Sequence, residues 1–278
     1  MDYRKEVVKK RNRKRNAVIG IILVPIILLL PAVVLIHSKT NNTNNTPPPT
    51  ESPSAAAATP YVQPEESESP TEAPTPEPIQ RRGTATDIPD DIRRSMAGYS
   101  MPAGASVTYD ELSYLTIPHY DFEYNITQGH MIVNKALAEE VLDIFAELFD
   151  TKYPIERMEL IDKYNADDYL SIDNNNTSAF NYRESTDGSG RLSKHALGRA
   201  IDINPQINPY VNANGTGAHQ NAQQYWSRDV SAWSGETAKA AYIGPGTEIY
   251  RIFVEKYGWE WGGSWSSYRD YQHFQKTS

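Results

Sequence analysis

The chain has 278 residues and a net charge of −8, divided unevenly: residues 1–16 hold eight Lys or Arg against Asp2 and Glu6, a balance of +6 that leaves −14 on the rest. Phosphate binding needs clustered cations to displace counterions, so an acidic body of this kind excludes nucleic acid as a partner. Cysteine is absent, which excludes disulfides, thiolate metal ligands and cysteine nucleophiles.

In chain order, the first signal is residues 17–36, AVIGIILVPIILLLPAVVLI, an uncharged run of about the length a helix needs to cross roughly 30 Å of hydrocarbon. Pro25 and Pro31 are compatible with a span. The basic KKRNRKR before it predicts a cytoplasmic N-terminus, a single-pass anchor in the cell membrane's lipid bilayer, and residues 37–278 outside the cell. The bearer is read as a bacterium of Gram-positive type. Residues 37–86 follow as a tether. Ten of the nineteen prolines fall between Pro47 and Pro78, and so polar and proline-rich a stretch cannot offset the entropy of ordering. Residues 87–278 form the globular part, read as a single monomeric domain.

Within it, a short helix is predicted over Pro89–Ala97 with Gly98 as its stop, and short strands over Leu115–Ile117, ending at Pro118, and Met131–Val133. The clearest helix runs Lys135–Phe149, capped by Asn134, with Leu137, Val141, Ile144, Phe145 and Leu148 on its core face. A later one, Glu248–Tyr257, has Thr247 as cap and Gly258 as stop and buries Ile249, Ile252 and Phe253. Few helices and several short strands predict an α+β class.

Ser193–Tyr210 reads SKHALGRAIDINPQINPY. Residues 199–204 alternate, which puts Ala200, Asp202 and Asn204 on one face of a strand and Ile201 and Ile203 on the other. A carboxylate in so apolar a strand requires a partner, either a metal ion or a salt bridge. Near the C-terminus, YRDYQHFQ carries Asp270 three residues before His273. Two histidines and one aspartate give zinc three ligands and leave a fourth position for water, the pattern of a catalytic site, with Asp270 as the base.

The segments FNYRES, SGRLSKHALGRAIDINPQINPYV, YGWEWGGSW and DYQHF together resemble the zinc D,D-carboxypeptidases and L-alanyl-D-glutamate endopeptidases of bacterial cell walls. The resemblance spans about residues 110–278. It implies a small antiparallel sheet flanked by helices, of the hedgehog and D,D-peptidase type, with one zinc per chain and peptidoglycan stem peptides as substrate. By the same resemblance His195, Asp202 and His273 bind zinc, Asp270 is the general base, and Arg183 polarises the scissile carbonyl or holds substrate. Gln275 stands where an acidic residue is often found.

Other residues carry less. Ser193 either contacts substrate or braces the turn before His195; Tyr182 and Trp265 are candidate substrate contacts, while Trp259, Trp261 and Trp265 also read as core. His119, His130 and His219 match no ligand spacing. Ser-x-x-Lys and His-Glu-x-x-His, the marks of two rival hydrolase chemistries, are absent. The alternative is a zinc-bearing wall-binding module without turnover, and retention of Asp270 and Arg183 favours the enzyme.

Overall fold

The computed structural model describes residues 80–186 and 189–277. Its longest strands form where β-branched and aromatic residues concentrate. β2 (Leu112–Tyr120) and β3 (Ile126–Asn134) pair antiparallel along their whole length, with Leu115 opposite Met131. The predicted segments 115–117 and 131–133 are the middle of this hairpin. β2 continues through Pro118 because β1 (Thr84–Thr86) covers it only from Tyr114 to Thr116. Between there and the bridge of Tyr120 to Pro154, β2 is an edge on one side, a setting in which a missing N–H is tolerated. β1 lies within the stretch expected to be tether, where two threonines give the first strand among the described residues.

The predicted helices form with local adjustments. α1 (Asp90–Met96) starts after Pro89 and is followed by Gly98 at φ +81°. The Asn134 side chain accepts from the Ala136 N–H at 3.1 Å, a tight turn covers Lys135–Leu137, and α2 (Ala138–Asp150) continues from it. α3 (Asp168–Asp173) and α4 (Glu236–Ala240) are short. α5 (Glu248–Tyr250), capped by Thr247, widens into a π-helical turn over Arg251–Lys256, and Gly258 ends it at φ +68°.

One apolar core joins these elements. Leu115, Ile117, Met131 and Val133 of the hairpin meet Val141, Ile144, Phe145 and Leu148 of α2 and Ile249, Ile252 and Phe253 from the last helix. Ile201, Ile203, Trp259, Trp261 and Phe274 close the same cluster from the site side. Phe253 stacks on Phe274 with ring centroids 4.2 Å apart and meets Trp259 edge-on at 5.5 Å. Each such buried side chain contributes about 1.5–3 kcal/mol, so the scaffold under the site is rigid on both sides of β10 (His273–Gln275).

The expected single antiparallel sheet is corrected by the structure, which is a mixed α/β arrangement with four small sheets among the described residues. Beside β1–β2–β3 there is a sheet ordered β6 (Ala200–Asp202), β10, β8 (Glu260–Trp261). β7 (Tyr210–Asn212) pairs antiparallel with β9 (Tyr268–Asp270), and β4 (Arg157–Met158) runs parallel to β5 (Asn176–Thr177). Strands of two or three residues cannot build one continuous ladder. Side chains supply the missing bonds: buried Asn204 accepts from the Glu156 N–H at 3.1 Å and donates to the Pro154 carbonyl at 2.8 Å. The uncharged run 17–36, and with it the membrane helix expected there, lies outside the described residues, as does most of the tether. Among the described residues no helix is long and apolar enough to cross a membrane.

Candidate active site

Three side chains far apart in sequence meet where β6 and β10 pair. Asp202 and His273 are register partners across the two antiparallel strands, so their side chains emerge on one face. Asp202 is also held from its other side, exchanging backbone hydrogen bonds with Ser178 at 2.8 and 3.0 Å. His195 arrives on a tight turn, His195–Leu197, that Gly198 closes at φ +64°. A Cβ on Gly198 would lie 2.5 Å from the Asn134 backbone nitrogen, so glycine is required both for conformation and for room.

His195 Nε2 lies 3.3 Å from Asp202 Oδ2, His273 Nδ1 lies 3.0 Å from Asp202 Oδ1, and the two ring nitrogens are 3.2 Å apart. All three residues are buried, and their ligand atoms lie within 4.8 Å of one another. The far nitrogens point at acceptors: His195 Nδ1 at the Ala179 carbonyl, 2.5 Å, and His273 Nε2 at Gln275 Oε1, 3.1 Å. With the hydrogens on those outer nitrogens, each ring would turn a lone pair inward to a bound metal ion, as metal-ligating histidines do. The donor set fits a zinc ion. Burial would raise the Asp202 carboxyl, but His195 and His273 outweigh it and hold it far below the usual range. Burial acts against a charged His273, yet Asp202 wins and raises its pKa.

Asp270 ends β9, opposite Tyr210. The residue keeps some exposure, but its Oδ1 is sealed from solvent without a hydrogen-bond partner. Burial first and the Asp202 charge second push its carboxyl up to about 7, against the opposing pull of His273 and Arg183. Arg183 forms an ion pair with Asp168, the first residue of α3, and its Nη1 donates to the Glu184 carbonyl at 3.3 Å. Asp168 is itself held by the Asn181 amide at 2.8 Å.

The remaining candidates separate. Ser193 Oγ accepts from the His195 N–H at 3.2 Å and braces the ligand turn. The Tyr182 hydroxyl accepts from the Ser106 N–H at 3.0 Å and donates to Ser106 Oγ at 3.1 Å, tying down the loop before β2. Trp259 and Trp261 are core, whereas half-exposed Trp265 sets its ring 5.2 Å from that of His273 and 5.4 Å from that of Tyr268. His119, His130 and His219 are elsewhere, the last paired with Asp173 at 2.7 Å and set against the Tyr169 ring at a tilt, centroids 4.2 Å apart. Sequence reasoning missed Gly262: a Cβ there would lie 2.6 Å from the Asp270 carbonyl oxygen, 2.9 Å from Asp270 Cβ and 3.2 Å from His273 Cβ. Only register between β8 and β9–β10 reveals that contact, although a paired glycine in GWEWGGSW is a hint.

Residues 187–276 match the D-alanyl-D-alanine carboxypeptidase family, a span that contains His195, Asp202, Asp270 and His273 and begins just after Arg183. No curated protein and no solved structure matches the chain. The segment that builds the His–Asp–His group and its neighbouring carboxylate is thus similar to the D-alanyl-D-alanine carboxypeptidase family, and the similarity supports a peptidase.

Proposed function

We propose that the protein hydrolyses the stem peptides of bacterial peptidoglycan with a zinc ion held by His195, Asp202 and His273, and with Asp270 as the proton acceptor. The observation that carries this reading is the buried His–Asp–His group with a partnerless carboxylate oxygen, that of Asp270, close by. When bound, zinc supplies Lewis acidity, which acidifies water and polarises a carbonyl oxygen. Asp270 takes the proton from the attacking water and returns it to the leaving amine, the work of a carboxylate with an oxygen free of hydrogen-bond partners. Arg183 offers its guanidinium to the oxygen that gains charge during attack, and Asp168 holds it in place. Trp265, half exposed beside His273, walls the substrate side.

The basic N-terminal flank and the uncharged run after it support a location on the outer side of the cytoplasmic membrane of a bacterium, where peptidoglycan is found. Protease added to intact protoplasts should digest the catalytic part, and protection would reverse the topology. The catalytic reading is tested by incubating the zinc-loaded protein with purified muropeptides and following products by mass. Release of D-alanine identifies a carboxypeptidase, and cleavage between L-Ala and D-Glu an endopeptidase. Tight binding to wall without any product from any muropeptide would replace the enzyme with a binding module.

A further inference from the structure

We infer that Glu260, acting through Gln275, fixes which nitrogen of His273 faces the metal group, making both of them positioning residues for the zinc site. The inference rests on the metal-site reading above and adds two residues to it. His273 must present Nδ1, the atom 3.0 Å from Asp202 and 3.2 Å from His195 Nε2. A neutral imidazole has one N–H and one lone pair, so Nε2 must carry the hydrogen and needs an acceptor. For His195 the acceptor is the Ala179 carbonyl, which cannot do anything but accept. For His273 it is the Gln275 side-chain amide, whose two ends have nearly the same shape and opposite character.

What decides the amide's orientation is its other neighbour. Gln275 Nε2 donates to Glu260 Oε2 at 2.7 Å, and an ionised carboxylate only accepts. The other oxygen, Glu260 Oε1, accepts from the Trp265 indole N–H at 2.6 Å, and an indole only donates. Hydrogens can then be assigned in one way along the whole row. Trp265 and the Gln275 NH2 both donate to Glu260, Gln275 Oε1 accepts from His273 Nε2, and Nδ1 is left bare toward Asp202. The fold supplies the alignment. Gln275 is the register partner of Glu260 across β8 and β10, and His273 and Gln275, two residues apart on β10, share a face. Gln275, which stands where an acidic residue is frequent, thus passes on the character of a carboxylate one strand away.

The test is zinc affinity of the full-length chain in detergent, measured by competition with a chelator, with melting temperature followed in parallel. Gln275→Leu removes the acceptor without changing charge and should weaken zinc about 10- to 100-fold, the usual loss for a partner of a ligating histidine. Glu260→Gln allows Gln275 to turn its NH2 toward His273 and should weaken zinc about 10-fold. The exchange of Glu260→Gln with Gln275→Glu rebuilds the row, since an amide at position 260 can donate to a carboxylate at position 275 and accept from Trp265. It should return zinc affinity to within about twofold of wild type. Cobalt-substituted samples should show the same order in their visible absorption. Wild-type affinity in both single variants, or an exchange variant as weak as they are, overturns the inference while leaving the metal site intact. A wild-type chain that binds no zinc overturns both.

Discussion

Replacing Gly262 with alanine would drive a methyl group into the backbone that carries both the proposed base and a ligand. The new Cβ would sit 2.6 Å from the Asp270 carbonyl oxygen and 3.2 Å from His273 Cβ, where ordinary contacts begin at 3.4 Å. The turn between β9 and β10 must therefore retreat by nearly 1 Å. It cannot do so freely, because Phe274 is fully buried against Phe253 and Ile203 N donates to the Gln272 carbonyl at 3.0 Å. Overpacking of this kind costs about 1–3 kcal/mol. A displacement near 1 Å of a catalytic group costs on the order of 10²-fold in rate. Turnover of muropeptides, zinc content and melting temperature should be measured on one preparation. The expected outcome is a lower melting temperature and about 10²-fold lower turnover, with zinc weakened through the shift of His273. Wild-type turnover at wild-type melting temperature would show that Gly262 does not set the spacing of Asp270 and His273.

His195→Ala should lose most of the zinc found in the wild-type chain by elemental analysis, and full retention would remove His195 from the ligand set. Arg183→Ala should keep zinc and lower kcat more than it raises KM, since the guanidinium acts on charge that develops during attack; an unchanged kcat would refute that role. Metal-free stability should depend on pH through Asp270. Its carboxyl, raised to about 7, holds a proton that the unfolded chain releases near pH 4, so the folded state is progressively penalised as pH rises from about 4 to 7. Melting curves of metal-free wild type should fall across that window relative to Asp270→Asn, and parallel curves would contradict the raised pKa.

The proposed ligands were legible through the resemblance carried by S-x-H and A-x-D, which set a histidine and an aspartate in a segment otherwise made for burial, and the structure brings them together with His273. Ile201 and Ile203 fix the strand, and Asp202 has to face the other way. The helices were legible through Val141, Ile144 and Phe145, and through Ile249, Ile252 and Phe253, whose spacing is that of one face. The number of sheets was not, because two-residue strands such as Glu260–Trp261 and Asn176–Thr177 carry no periodicity. Contacts set by register were hidden for the same reason: Gly262 against Asp270, and Gln275 opposite Glu260. Nor does any pattern announce Arg228, a half-buried cation set 4.5–5.0 Å from the ring centres of Trp233, Tyr242 and Tyr271, which donates to the Ile207 and Ile243 carbonyls. It ties the long segment after β7 to Tyr271, the residue that follows Asp270.

The division of labour between ligand and base is tested most directly by Asp270→Asn, which swaps a carboxylate oxygen for an amide in nearly the same volume. Zinc content and turnover on purified muropeptides should be read from the same sample beside wild type. The variant should hold about one zinc per chain and lose about 10² to 10⁴ of the rate, the worth of a positioned proton acceptor. Wild-type turnover in a zinc-loaded Asp270→Asn protein would contradict the account.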